Sequence, residues 1–372
     1  MFRRLPGMDD PHDRRLGWTE VVPPLALVAL GLVWGRDLGP FWIAVVAVLL
    51  AAAVLAAVHH AEVVAHRVGE PFGSLVLAVA VTVIEVALIL TLMLSGGKDT
   101  SELARDTVFA AVMITCNGIV GLSLLVGAVK FGTTHFNAEG TGAALATVIT
   151  LATTCLVLPV FTTTTAGPEF TGSQLTFVAL ASLALYAMFV VTQTVRHRDF
   201  FLPVTRGGDV LPEDDHAELP SNRRALISLG LLVVSLVAVV GLAKIESTPI
   251  ERAVKDLGLP QAVVGVIIAL LVLLPESIAA VNAARRGRTQ ISLNLGLGSA
   301  MASIGLTIPS IAVASVFLDG PLRLGLDPTH IVLLALTALI SVLTVVPGRA
   351  TRMQGGVHLV VMAAFLVLSV QP

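Results

Sequence analysis

Two glutamates lie inside long apolar runs, where an ionisable side chain is unusual. Glu85 interrupts AVTVIEVALIL, and Glu276 interrupts LLVLLPESIAAVN, residues 270–282. An acid at the centre of a membrane helix costs about 3 kcal/mol even on lenient insertion scales, so such residues commonly mark pathways for ions or protons. One acid alone can instead be a protonated side chain that bonds a neighbouring helix. Two acids at matching positions favour an ion pathway in which both carboxylates bind cations or protons.

Pro275, next to Glu276, interrupts the backbone hydrogen bonding of the second run. Proline cannot donate a backbone hydrogen bond, and its ring clashes with the carbonyl four residues earlier, here that of Leu271. We therefore expect the helix to unwind at this point and to free carbonyl oxygens at membrane depth, where free backbone must be buried or line a cavity. A carboxylate beside carbonyl oxygens suits a hard cation. A simple kink would explain Pro275 but not the adjacent acid.

Polar and small residues occur in the apolar run that follows each glutamate. The candidate oxygen ligands are Asn117 in the first of these runs, and Asn294, Ser299 and Ser303 in the second. Glycines such as Gly298 in the second run allow helix backbones to approach closely. The same residue types also serve plain helix packing. Each polar residue is therefore as well suited to tying helices together as to lining a site.

The whole chain is apolar enough to be a membrane protein. Of its 372 residues, 55% are hydrophobic and only 13% are charged, and the mean hydropathy is +0.90. A soluble domain typically carries about 25% charged residues. A transmembrane β-barrel would show alternating hydrophobicity and aromatic girdles, whereas aromatic residues make up only 5% here. The predicted fold class is an all-α polytopic membrane protein.

Apolar runs of about 20 residues recur along the chain and predict about eleven transmembrane helices. The predicted spans are 20–36, 40–60, 71–95, 105–129, 140–163, 173–195, 224–244, 258–284, 291–317, 327–347 and 353–371. The longest polar stretch separates two sets of five spans. We therefore divide the chain into an N-terminal segment with a leading helix (1–36), a first five-helix repeat (37–195), a cytoplasmic acidic linker (196–223) and a second five-helix repeat (224–372).

Two similar units of five helices must have opposite orientations, because five is an odd number. Each unit carries its glutamate in the second helix, and this helix opens after a proline and a glycine. Such inverted repeats are typical of secondary transporters that work by alternating access. With the N-terminus inside, the inside loops hold more than twice as many Lys and Arg residues as the outside loops. This bias predicts a cell (inner) membrane protein with a cytoplasmic N-terminus and an outside C-terminus.

The sequence resembles the calcium/cation antiporter superfamily, and most of all its bacterial ChaA-type Ca²⁺/H⁺ members. The segments that carry the resemblance are HAEVVAHRVGEPFGSL (60–75), TVIEVAL around Glu85, and LLPESIAAVNAARRGRTQISLNLGLGSA around Glu276. It extends over nearly the whole chain. The resemblance implies that the two glutamates bind the transported cation and the protons in turn. No cofactor is expected beyond the transported Ca²⁺, Na⁺ or K⁺ and H⁺.

Several positions depart from the pattern of the wider family. Thr82 and Leu273 stand where that pattern has asparagine, so Thr82 becomes a candidate ligand, and Ala302 stands where a glutamine is usual. The neutral ligands are therefore fewer than in the eukaryotic vacuolar exchangers. Ca²⁺ prefers six to eight oxygens, which leaves Na⁺ or K⁺ open as the exchanged cation.

Other classes of protein fit the sequence less well. No filter loop of the kind found in cation channels is evident, and no His-Glu-x-x-His or Gly-x-Ser-x-Gly motif indicates an intramembrane enzyme. The expected partners are inorganic cations, protons and the lipid bilayer, with no nucleic acid, and the oligomeric state stays open. The acidic sequence LPEDDHAELP (211–220) is interpreted as a solvated loop, with cation sensing as the alternative.

Overall fold

The computed structural model describes residues 17–69, 72–95, 101–204, 220–317 and 321–371. Within these ranges the chain forms eleven long helical segments and one short 3-10 turn, Arg198–Phe201, which confirms the predicted all-α polytopic class. In chain order they are α1 (Trp18–Val33), α2 (Pro40–Val68), α3 (Phe72–Ser95), α4 (Leu103–Phe131), α5 (Ala138–Phe161), α6 (Gly172–Arg196), α7 (Asn222–Asp256), α8 (Ala262–Arg285), α9 (Thr289–Ala314), α10 (Pro328–Val345) and α11 (Arg352–Val370).

The helices begin and end where the local sequence favours a boundary. Pro40 and Pro328 open α2 and α10, because the first turn of a helix does not need their missing amide. The Asp327 side chain caps the start of α10, while Gly69 and Gly132 end α2 and α4 with positive φ angles. Nine helices of the described ranges are long and apolar enough to span a bilayer, and α1 and Val79–Leu94 of α3 are shorter apolar segments.

Helix α7 is longer than the predicted span 224–244. It continues to Asp256 and includes Pro249. The residues beyond 244 are polar, but Glu, Lys and Arg are good helix formers, so the end of the apolar run does not end the helix. This extension buries Glu246, which is 2% exposed.

Three helices contain π-helical turns that no sequence pattern predicted. They cover Ile114–Ile119 in α4, Thr153–Val157 in α5 and Thr192–Arg196 at the end of α6. A π-turn inserts one extra residue and rotates the side chains that follow it, and such turns are frequent at functional sites. Their presence changes which residues of α4 and α6 face the protein interior.

The helices pack in a pattern that recurs in the two halves of the chain. Helix α3 packs on α9 and α8 packs on α4, while α6 packs on α9 and α11 packs on α4. Helices α4 and α9 are the most enclosed candidate spans of the described chain: 83% and 56% of the residues in their apolar 18-residue stretches are buried. Each glutamate-bearing helix therefore lies against the central helix of the opposite half.

Two short links complete the described fold. Strand β1 (Thr134–His135) pairs antiparallel with strand β2 (Arg349–Ala350), so the loop after α4 joins the loop after α10. Residues 1–16 and most of the acidic sequence at 211–220 lie outside the described residues. The predicted division into repeats and linker stays a prediction.

Candidate functional site

Glu85 lies deep between α3 and α9. Its side chain is 4% exposed, and the Ser303 hydroxyl of α9 donates a hydrogen bond of 2.5 Å to its Oε1 atom. Thr307, one turn further along α9, is also buried and neighbours the same carboxyl. A carboxyl group at this depth is stable only with such polar neighbours. The structure thus brings Glu85 and Ser303 together, as expected for two ligands of one site.

Glu276 borders a cavity of about 220 Å³ among α6, α8 and α9. Its Oε2 atom is buried and has no hydrogen-bond partner among the described residues. Three predicted site residues, Asn294, Gly298 and Ser299, line the same cavity from α9. A methyl group added at Gly298 would meet no atom within 4 Å, because this glycine faces open space. The cavity is large enough for a cation with some of its water.

The two carboxylates share one electrostatic environment. The charge of Glu85 acts on Glu276, and so does the charge of Glu62 on α2. Both glutamates also border α9, since Ser303 bonds Glu85 and Ala302 lines the cavity beside Glu276. Carboxylates that repel one another at low dielectric favour a cation or protons between them.

The predicted unwinding at Pro275 is wrong. Helix α8 continues without a break from Ala262 to Arg285, with Pro275 inside it. A proline removes one hydrogen bond and adds one clash, and the flanking helical bonds and the packing against α4 and α9 hold the turn closed. The hydroxyl of Ser277 also bonds the Leu273 carbonyl at 2.7 Å. Glu276 therefore stands on a regular helix rather than beside an opened backbone.

Thr82 and Asn294 have mixed surroundings. The Thr82 hydroxyl is buried one turn before Glu85 and has no hydrogen-bond partner in the described chain, but Thr82 lines a separate cavity of about 360 Å³. Asn294 lines the cavity of Glu276, yet its amide donates to the Phe201 carbonyl at 2.7 Å and its oxygen accepts from Gln290 at 2.8 Å. Asn294 must exchange these bonds to bind a cation.

Asn117 belongs to a polar network whose hydrogen bonds within the described chain include neither glutamate. Its amide donates to Thr337 on α10 at 2.9 Å, and its oxygen pairs with a ring nitrogen of His358 on α11 at 3.2 Å. The residue stands in the π-turn of α4, and all three side chains are fully buried. The structure gives Asn117 contacts that tie three helices together. Its role as a cation ligand stays an untested prediction.

Two residues of α6 line the cavity although the sequence did not single them out. Tyr186 and Gln193 face it one above the other, and their spacing of seven residues places them on one side of a helix. Gln193 lies in the terminal π-turn of α6. The sequence signal that could have identified these two residues is their spacing of seven positions within an apolar span.

The opposite end of the bundle is closed by ion pairs. Arg105 at the start of α4 bonds Asp106 at 2.7 Å and Glu102 at 2.9 Å, and it donates to the Gly325 carbonyl at 3.2 Å. Arg323 adds a bond of 3.3 Å to Glu169. These contacts join the loop before α10 to the loops of the first half. Hydrogen bonds from His330 also lower the pKa of Asp327, which caps α10, to about 2.

The fold is that of a polytopic membrane protein in which two carboxyl groups, the buried Glu85 of α3 and Glu276 of α8 beside its cavity, lie between apolar helices. The family model described as sodium/calcium exchanger protein matches residues 38–195 and 227–371. The chain belongs to this family.

Similar proteins agree with this assignment. A protein of Sinorhizobium fredii, y4hA, whose name describes an ionic transporter, is 49% identical over 87% of both chains. The sodium-potassium/proton antiporter ChaA of Escherichia coli is 33% identical over 93% of this chain and 94% of its own. The solved structure of native YfkE shares the fold, with a TM-score of 0.71 and 16% identity over 95% of this chain and 99% of YfkE.

Proposed function

We propose that this protein exchanges Ca²⁺ for protons at a site formed by Glu85 and Glu276. The observation that carries the proposal is the convergence of two carboxyl groups, the enclosed Glu85 of α3 and the cavity-lining Glu276 of α8, on the same helix α9. When both are ionised they carry a charge of −2, which one Ca²⁺ or two protons neutralise. Burial favours the neutral form of a carboxylate, so protons compete with the cation and its entry expels them.

The second part of the proposal is an alternating-access mechanism based on two inverted repeats. The recurrent packing of α3 on α9 and of α8 on α4 supports a pseudo-two-fold relation between the halves. The family model also matches the chain in two separate segments. Rocking of one half against the other would expose the carboxylates first to one side of the membrane and then to the other.

The described conformation supports an inward-facing state. The cavity of Glu276 includes Gln193 near the end of α6 and Ile291 near the start of α9. Both lie next to loops with a positive charge that predicts the cytoplasmic side, in a cell membrane with the N-terminus inside. The ion pairs of Arg105 and Arg323 lie at the other end, where an outward path would have to open.

A second candidate is Na⁺/H⁺ or K⁺/H⁺ exchange on the same fold. The observation that favours it is the name of the 33% identical ChaA protein, a sodium-potassium/proton antiporter. The structural relative YfkE, described as a Ca²⁺/H⁺ antiporter, favours Ca²⁺ instead. Hydroxyl groups such as those of Ser303 and Thr307 bind all three cations, so the difference rests on the charge of the two carboxylates.

The proposal is tested by cation-dependent proton movement in inverted membrane vesicles. Proton release from preloaded vesicles is followed while Ca²⁺, Na⁺, K⁺ or Mg²⁺ is added over a range of pH. We expect Ca²⁺ to give the lowest half-saturating concentration. A response to Na⁺ and K⁺ with none to Ca²⁺ would select the second candidate, and no response to any cation would refute proton-coupled exchange.

A further inference from the structure

A second cavity lies at the predicted cytoplasmic end, apart from the site of the two glutamates. It has a volume of about 570 Å³ and lies between the start of α1, the second half of α2 and the start of α7. Arg223, Arg224, His59 and His60 line it, and Glu20 is the one acid among the described lining residues. The cavity is therefore rich in groups that bind anions.

The start of α7 adds to the positive charge of this cavity. The first helical residues of α7 include Arg223 and Arg224, and no acid stands in this turn. The N-terminus of a helix carries a partial positive charge and favours acidic side chains. The positive charges of the two arginines are therefore unfavourable at this position. Arg67 of α2 adds a third guanidinium, whose Nε donates to the Asn222 side chain at 2.7 Å. A bound anion would offset this repulsion.

His60 lies in the wall of the same cavity. It is 1% exposed, and its Nε2 atom lies 2.8 Å from the Thr19 carbonyl. Its other ring nitrogen, Nδ1, has no hydrogen-bond partner in the described chain. A buried ring nitrogen normally has a partner. This one has almost no accessible surface, so it is an unsatisfied polar group within the cavity wall and not a contact with the cavity's interior.

The lining is amphipathic. Val63 of α2 and Ile227 and Leu231 of α7 add apolar side chains to the lining. Ile227 and Leu231 follow Arg223 on one face of α7, and Ile227 is 45% exposed. An anion with an attached hydrocarbon chain fits such a cavity better than a free ion does. Basic cavities between helices on the cytoplasmic side of a membrane commonly hold lipid headgroups.

We propose that this cavity binds the phosphate group of an anionic phospholipid of the cytoplasmic leaflet. The guanidinium groups of Arg223 and Arg224 bind the phosphate oxygens, and the amides of Asn222 and Arg223 at the start of α7 add donors. The Arg224 amide already donates to the Ser221 hydroxyl at 3.3 Å. The headgroup would fasten α1, α2 and α7 to one another. This binding does not depend on the exchanged cation.

The test measures lipid binding by the purified, delipidated full-length protein in detergent. The Tm is followed during titration with phosphatidylglycerol, with phosphatidylcholine and, separately, with inorganic phosphate. We expect a saturable rise in Tm with phosphatidylglycerol only. In R223Q/R224Q its half-saturating concentration should increase on the order of tenfold, since each surface charge contributes a several-fold change in affinity.

The matched control is R285Q/R286Q, which removes two arginines from the same predicted side but away from the cavity. It should bind phosphatidylglycerol like the wild type. Each single variant, R223Q or R224Q, changes one exposed side chain and gives a smaller shift if the double variant does not fold. A rise in Tm with inorganic phosphate that is smaller in R223Q/R224Q than in the wild type would support the phosphate site, with free phosphate as its ligand. An equal effect of phosphatidylcholine, or unchanged binding by R223Q/R224Q, would overturn the proposal.

Discussion

The two glutamates occupy corresponding helices, yet their surroundings differ. Glu85 on α3 is 4% exposed and is bonded to Ser303. Glu276 on α8 borders an open cavity and keeps one oxygen without a partner in the described chain. Under the proposed inverted-repeat mechanism, the two carboxyl groups should have unequal environments in each of the two states. In the other state we expect Glu276 to be enclosed and Glu85 to face a cavity.

The largest effect is expected from removing either charge. Glu85→Gln and Glu276→Gln keep the shape of the side chain, and each leaves a single carboxylate that cannot balance a divalent cation. We expect exchange in vesicles to be lost in both variants, with normal expression. Glu139→Gln, at an exposed acid in the first turn of α5, is the control and should transport normally. Full activity in either site variant would contradict the assignment.

Chemical modification tests the difference in access directly. A hydrophobic carbodiimide reacts with protonated carboxyl groups. Glu276 borders a cavity of about 220 Å³, whereas Glu85 is 4% exposed. We expect faster labelling of Glu276 than of Glu85 in peptide mass spectrometry, and protection of Glu276 by the transported cation. Equal labelling rates for the two glutamates would show that the described difference is not present in solution.

Ser303 tests the polar support of the enclosed glutamate. A hydrogen bond to a charged group contributes about 1.5–3 kcal/mol, so Ser303→Ala should raise the half-saturating cation concentration about tenfold or more. Ser292→Ala is the matched control, because Ser292 is a buried serine of the same helix that bonds Ser123 rather than a glutamate. A similar increase in both variants would mean that the effect comes from α9 packing.

Gly298 tests the cavity of the accessible glutamate. Gly298→Ala adds a methyl group that meets no atom within 4 Å, so it reduces the cavity without a clash. We expect a several-fold rise in the half-saturating cation concentration with no loss of Tm, since alanine favours the helix. Gly31→Ala in α1, where a methyl group also meets nothing, should leave transport unchanged. Unchanged transport by Gly298→Ala would place the cation path elsewhere.

The smallest effect is expected at Pro275. Because α8 is unbroken there, Pro275→Ala restores one backbone hydrogen bond, of order 1 kcal/mol, and should raise Tm slightly. The half-saturating cation concentration should stay within about twofold of the wild type, by the same vesicle measurement. A large increase would show that the Leu271 carbonyl binds the cation in spite of the regular helix.

The fold was predictable from the sequence because each apolar run must form a helix to satisfy its backbone in the bilayer. The spans follow from that constraint, except for the continuation of α7 beyond residue 244. The partners of neutral polar residues do not. Asn117 bonds helices α10 and α11, which lie more than 200 residues away in the chain. The sequence around an asparagine in an apolar run is the same whether its side-chain amide binds an ion or another helix.

The other details that the sequence did not reveal are local changes of helix geometry. The π-turn that carries Gln193 packs against the turn Arg198–Phe201 that follows it, and no periodicity marks one inserted residue. The continuity of α8 through Pro275 depends on the neighbouring helices in the same way. Tertiary contacts decided these features, whereas composition decided the spans.

The length of α7 has a mechanical consequence. Its 35 residues form a rod of about 52 Å at 1.5 Å per residue, while the hydrocarbon core of a bilayer is about 30 Å thick. The helix thus extends from the basic cavity at Arg223 past the buried Glu246 to Asp256 at its other end. A lipid headgroup that holds one end of α7 limits the tilt of the whole helix. The lipid composition of the cytoplasmic leaflet therefore limits how far the other end of α7 can move.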